Sequence, residues 1–162
     1  MEQSFSSKFA NLTDMKDHVG EVLGISEWLN ITQERIDTFA KATEDHQWIH
    51  TDPEIAKIHS PYGTTIAHGF LVLSFAPKFI YEVYKVEDAI MGVNYGLDKV
   101  RFPSATPVNC NLRAKVTLTG YEAMDEGAKL NMNLEFQIEG QEKPACIAEF
   151  IALVMTGQVE DI

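Results

Sequence analysis

IAHGFLVLSFAPKFIYEVY, residues Ile66–Tyr84, is apolar on almost every side for its first three turns. Phe70, Leu71, Val72, Leu73, Phe75, Phe79, Ile80 and Val83 leave little polar face. A helix of that kind must be wrapped by other structure. Pro77 lacks an N–H and crowds the preceding turn, so the spacing predicts one helix over 66–84 with a distortion at Pro77. The second half of the chain supplies the wrapping. Ala89 to Phe102, Cys110 to Tyr121, Lys129 to Glu139 and Ala145 to Met155 read as four long strands, with alternation plain in Leu130, Met132, Leu134, Phe136 and Ile138. Gly120, Gly127, Gly140 and the Pro103–Pro107 segment mark the connections, and Gly140 to Pro144 reads as a hairpin. Helices first and antiparallel strands after predict an α+β fold. One buried helix with five or six strands predicts a sheet curled around that helix.

Upstream, a short helix is expected around Asp14 to His18, ended by Gly20, and a first strand across Glu21 to Asn30. Thr32 is a helix N-cap with Glu34 in the first turn. Ile36, Phe39 and Ala40 then share one face of a helix ending near Ala42 or Thr43. From Glu44 to Thr65 periodicity is lost, apart from a short helix over Pro53 to Ile58 capped by Asp52 and followed by turn chemistry at Ser60 to Gly63.

A chain of 162 residues with 45% hydrophobic and 23% charged residues is expected to form a single domain, 1–162, with a substantial core. Its formal net charge of -11 argues against a general affinity for nucleic acid or for an anionic membrane surface. No apolar run is long enough to span a bilayer, and the N-terminal residues lack a signal-peptide pattern. Cys110 and Cys146 form no metal or redox spacing. They read as small strand residues of a cytoplasmic protein with reduced thiols.

The chemistry concentrates in residues 42–75, ATEDHQWIHTDPEIAKIHSPYGTTIAHGFLVLSF, which hold His46, His50, His59 and His68. Asp45 and His50 lie five apart in an irregular segment, and His68-Gly69 opens the apolar run. This arrangement offers an acid, a base and a helix-N-terminal amide around one pocket. Beside it stand plainer readings: Asp45 as a loop cap, His50 as a structural histidine, His68 as an orienter of the loop before Gly69, Trp48 as packing, and His46 and His59 as solvated. His46 and His50 would be a metal pair on a continuous helix. There is no HExxH, and the segment reads as loop, so no metal is expected. A GxSxG elbow is also absent.

Asp45-His46-Gln47-Trp48-Ile49-His50, followed by Ile66-Ala67-His68-Gly69-Phe70-Leu71, resembles the MaoC-like, (R)-specific enoyl-CoA hydratase family of hotdog-fold proteins, in its nodulation-protein-N-like branch. The segment Asn94 to Pro103, NYGLDKVRFP, fits the same branch. The resemblance implies a hotdog fold and a catalytic pair, Asp45 and His50. It implies a thioester oxyanion donor at the Gly69 N–H, a His68-Gly69 step before the central helix, and a pocket serine at Ser74. Gln47 stands where the family carries Asn, and offers the same amide on a longer arm. The implied activity is an enoyl-CoA hydratase or (R)-3-hydroxyacyl-CoA dehydratase, a hydro-lyase working without cofactor on acyl-CoA or acyl-carrier-protein thioesters. An acyl-CoA thioesterase and a non-catalytic acyl-thioester binding module are the alternatives. The family's habit of pairing sheets implies a homodimer. Lys78, Lys85, Lys99 and Arg101 are candidates to meet phosphates, and Tyr62, Phe70, Leu71 and Phe75 to line an acyl tail.

Overall fold

The computed structural model describes residues 6–157. The ends of the expected 1–162 unit, residues 1–5 and 158–162, lie outside the described residues. The chain opens with β1 (Ser7–Phe9) and a 3-10 helix over Leu12–His18 that buries Leu12 and Met15. β2 (Val22–Ile25) and β3 (Leu29–Asn30) follow. These two replace the single strand expected across Glu21 to Asn30. Ile25 pairs with Lys115 and Leu29 with Leu112, so four steps on one side oppose three on the other. The extra residue is a bulge around buried Ser26, whose Oγ accepts from the Ala114 N–H at 2.9 Å.

α1 (Gln33–Thr43) begins at Thr32, whose Oγ1 accepts from the Arg35 N–H, and ends at Glu44 in the left-handed region (φ 62°). The stretch expected to be irregular contains one helical turn, α2 (Trp48–Thr51). α3 (Pro53–His59) starts as its sequence dictates, with Asp52 Oδ1 accepting from the Ile55 N–H at 2.9 Å.

The apolar run forms two helices rather than one: α4 (Gly69–Ser74) and α5 (Ala76–Val83). Pro77 has no N–H to give the Leu73 carbonyl, and the break falls one residue before the new helix, at Phe75. Residues 66–68 stay outside the helix: the His68 backbone is extended at ψ 138°, and the Ala67 N–H bonds to the Thr106 carbonyl and the Ile66 N–H to the Ile49 carbonyl. Tyr84, expected in the helix, begins β4 (Tyr84–Val86), which runs parallel to β1.

The four long strands are β5 (Ala89–Arg101), β6 (Asn111–Met124), β7 (Gly127–Ile138) and β8 (Cys146–Thr156). The sheet order is β2-β6-β7-β8-β5, with β3 also on β6 and every pairing antiparallel. Leu112, Val116, Leu118, Leu130, Met132, Leu134, Phe136, Ala148 and Phe150 point inward and are buried. They close over Leu71, Val72, Ala76, Phe79, Ile80 and Val83 of the two helices. This is the hotdog arrangement of the α+β class. Among the described residues, no helix is long and apolar enough to cross a membrane.

Phe79 meets Phe136 edge to face at 5.9 Å where helix and sheet touch, and both are fully buried. Phe79→Ala is expected to cost about 3–5 kcal/mol of unfolding free energy, read from the shift of the urea midpoint.

Candidate active site

Three segments meet at the N-terminal end of the central helix: the α1–α2 connection carrying Asp45, the α2 turn carrying His50, and the loop 64–68 leading into α4. An Asp45 carboxylate oxygen, a His50 ring nitrogen and a His68 ring nitrogen all lie within 4.8 Å of one another. The loop is pinned on both sides. The Ile66 N–H reaches back to Ile49, while the Ala67 N–H donates to Thr106 and the Val108 N–H donates to Thr65.

The protons of both rings follow from their partners. His50 Nδ1 lies 2.7 Å from the Ile66 carbonyl. A carbonyl only accepts, so Nδ1 carries hydrogen and neutral His50 presents Nε2 as a free lone pair. His68 Nε2 lies 3.0 Å from the backbone carbonyl of Asp45 and donates to it in the same way. His68 Nδ1 is therefore the acceptor nitrogen of that ring; it is buried and has no partner. His68 itself is only 3% exposed, stacked on His50 at 3.8 Å and 25°, with Phe39 tilted against it at 5.0 Å. Burial lowers the His50 pKa below its ordinary value, the Ile66 carbonyl opposes this, His68 adds to it and Asp45 opposes it. Asp45 is more open, with its side chain 55% exposed. Its Oδ1 also accepts from the Gln47 N–H at 3.4 Å, so the plain reading of Asp45 as a loop cap describes one of its contacts.

A metal ion lies in the plane of an imidazole that binds it. The His50 and His68 rings are stacked face to face, so their lone pairs run in separate planes rather than converging. The donor set is a poor match for a structural metal site.

The other expected residues are placed less directly. Gln47 is exposed and caps α2 through its backbone carbonyl, which accepts from the His50 N–H at 3.0 Å; no bond of its side-chain amide to Asp45 or His50 is present. Gly69 is the first residue of α4, where an N–H has no intrahelical partner. A Cβ there would come within 3.2 Å of the Phe102 ring, so the space beside this glycine is already filled by an aromatic face. Ser74 is exposed, and its hydroxyl donates to the Leu71 carbonyl at 2.7 Å. His46 and His59 are exposed. Lys85 pairs with Glu87 and Lys78 with Glu82, while Lys99 and Arg101 are exposed near the end of β5.

Leu71 belongs to the core and Phe70 is 71% exposed. An apolar cavity of about 430 Å³ lies further along, lined by Pro77, Ile80, Tyr81, Ile90, Phe150 and Val154 among others. None of the four residues expected at the acyl tail lines it, nor do Asp45 and His50. Burial pushes the Cys110 thiol up to about 11 and Cys146 to about 12, which leaves neither a nucleophile at neutral pH.

Residues 14–137 match the family model described as MaoC like domain. The chain belongs to the MaoC-like family. Over 144 residues this MaoC-like domain is 44% identical to a 3-hydroxyacyl-thioester dehydratase Z of Mycobacterium tuberculosis, covering 88% of this chain and 95% of the relative. It is 39% identical over 148 residues to a Nodulation protein N of Rhizobium leguminosarum bv. viciae, covering 89% and 91%. Its fold is similar to an R-hydratase from Pseudomonas aeruginosa in the unliganded form, with a TM-score of 0.72, 16% identity and 92% and 88% of the two chains covered.

Two residues of this MaoC-like domain escape a reading by motif. Gln33 donates from Nε2 to the His50 carbonyl at 2.7 Å, and the Thr65 hydroxyl donates to Gln33 Oε1 at 2.5 Å. The one available signal was a long amide at the first position of α1, where Gln is unremarkable. The lowered pKa of His50 has a sign that can be tested. Unfolded His50 takes up a proton near 6.5 and folded His50 only below that, so stability is intact above 6.5 and falls as pH drops beneath it. Between about pH 7.5 and 5.5 the urea midpoint of the native protein is expected to fall further than that of His50→Gln.

Proposed function

We propose that Asp45 and His50 hold one water between them and add it to a trans-2-enoyl thioester, in keeping with the hydratase and dehydratase activities named for its relatives. The observation that carries this is a His50 ring nitrogen within 4.8 Å of an Asp45 carboxylate oxygen, in a ring whose tautomer the Ile66 carbonyl fixes. A water bonded at about 2.8 Å to two acceptors at the tetrahedral angle holds them roughly 4.6 Å apart, inside the 4.8 Å limit on this gap. Such a water donates one hydrogen to the carboxylate and the other to Nε2. Its oxygen lone pair is then free to attack the β-carbon.

As the carbon–oxygen bond forms, one of those protons passes to the pair, and the alkene electrons move toward the thioester oxygen. The Gly69 N–H is assigned to that oxygen. The pair returns the proton to the α-carbon, so one water is consumed and both groups regain their starting states. In reverse the same steps dehydrate a 3-hydroxyacyl thioester. His68 touches neither water nor substrate in this scheme; it holds the Asp45 backbone and backs the His50 ring. Gln47 and Ser74 are left to contacts with the acyl group or its carrier.

We further propose a homodimer. Among the described residues β5 has a partner on one edge alone, and Met91, Val93, Tyr95 and Leu97 stand exposed along it. Long apolar edges invite pairing with another strand, and a second copy aligned antiparallel covers this one. A cytoplasmic setting agrees with the two unpaired thiols. The domain is taken to extend over residues 1–162.

Purified protein with crotonyl-CoA and a longer trans-2-enoyl-CoA is expected to lose enoyl absorbance without releasing thiol. Asp45→Asn and His50→Gln should each lower kcat about 10²–10⁴-fold while keeping the native circular dichroism spectrum. Exhaustive dialysis against a chelator should leave the rate unchanged. Thiol release would identify a thioesterase, and binding without turnover a binding module. Tyr95→Glu is expected to convert a dimeric mass in sedimentation into a monomeric one.

A further inference from the structure

We infer that Gln33 and Thr65 form a clip that sets the position and tautomer of His50, making Gln33 a positioning residue for the reaction. This rests on the proposed acid–base role of His50. Gln33 sits at the first position of α1, and its amide is fully employed. Nε2 donates to the His50 backbone carbonyl at 2.7 Å and to Asp37 Oδ1 at 2.8 Å, while Oε1 accepts from the Thr65 hydroxyl at 2.5 Å. Thr65 is buried, and its backbone carbonyl is taken by the Val108 N–H, which fixes it to the loop beyond β5.

The geometry ties two chain neighbours to one side chain. His50 is held by its own carbonyl, and Thr65 is the residue before Ile66, whose carbonyl receives the His50 Nδ1 hydrogen. Gln33 therefore sets the separation of the ring from the carbonyl that selects its tautomer. Amide and hydroxyl carry no charge at any ordinary pH, so the clip is indifferent to the proton that His50 gains and loses. The titratable groups facing the His50 ring are Asp45 and His68, and the clip adds none. A glutamate at this position would keep the acceptor for Thr65 but lose the donor, placing a negative charge between the His50 carbonyl and Asp37.

The test uses Gln33→Met, Gln33→Glu, Thr65→Val and the Gln33→Met/Thr65→Val double variant, with Thr65→Ser as the conservative control. Two readouts are taken: steady-state kinetics with trans-2-enoyl-CoA, and the imidazole nitrogen NMR spectrum of ¹⁵N-histidine-labelled protein. Misplacing a reacting group by about 1 Å costs on the order of 100-fold. The expected result is a kcat about 10- to 100-fold lower for Gln33→Met and Gln33→Glu, with KM changed by less than about threefold. The double variant should be little worse than Gln33→Met alone, because the two residues act as a unit. Thr65→Ser should retain native kinetics. In the NMR spectrum the His50 pattern of protonated Nδ1 and free Nε2 should give way to a mixture of tautomers.

An unchanged His50 spectrum in folded Gln33→Met overturns the proposal, whatever happens to the rate. So does a full kcat in that variant. Should Gln33→Met fail to fold, Thr65→Val, which removes one hydroxyl, decides on the same two readouts. A native protein that turns over no enoyl thioester counts against the function alone, since the tautomer is read without substrate.

Discussion

Phe79, Val72 and Val83 touch nothing but protein, and their burial sets the terms for everything around them. The inner face of the helix pair has to be covered, and an antiparallel sheet covers it only by curling, while Phe70, Ser74, Lys78 and Tyr81 form an exposed outer stripe. The N-terminal end of α4 has to emerge where the chain enters, and its first N–H groups have no partner within the helix. The loop that delivers the chain to that point and the α2 turn beside it are where Asp45, His50 and His68 gather. These three side chains thus stand on short segments, yet they are held against the packed end of the central helices.

What holds them is largely the main chain. The carbonyls of Asp45, His50 and Ile66 receive, respectively, hydrogens from His68, Gln33 and His50. Each of these side chains grips the backbone of a different segment, so three stretches distant in sequence are cross-linked with few side chain–side chain bonds. Burying polar groups in this way is tolerable only because nearly all are satisfied. The acceptor nitrogen of His68 is the exception within the site.

Local chemistry made much of this legible in the sequence. Alternation in β7, the Asp52-Pro53 start of α3 and the Thr32 cap each depend on neighbours a few residues away, and each stands where the spacing put it. The strand bounds moved by a few residues at most. Asp45 and His50 were visible as a pair because their spacing is itself the motif. The split of the central helix at Phe75 was foreshadowed by Pro77, though a proline alone does not distinguish a kink from a break. The bulge at Ser26 was hidden, since it is defined by a hydroxyl bonded to a strand 88 residues away. Gln33 and the stacking of His68 on His50 were hidden for the same reason. Contacts between side chains and remote backbone leave no periodicity behind. Gly69 was legible through the resemblance as the start of the central helix, whereas the Phe102 ring beside it was not.

The partner of His50 Nδ1 is a peptide carbonyl, where many histidine bases lean on a carboxylate. A carbonyl has no titration of its own and adds no full charge to the ring, so the neutral ring keeps the same tautomer at every pH at which His50 is unprotonated. It is also a group that every amino acid possesses. No replacement at position 66 can delete it, and drift of the coding sequence there changes packing without touching the proton arrangement. The tautomer is thereby encoded in the path of the backbone, and is lost only if the loop itself moves.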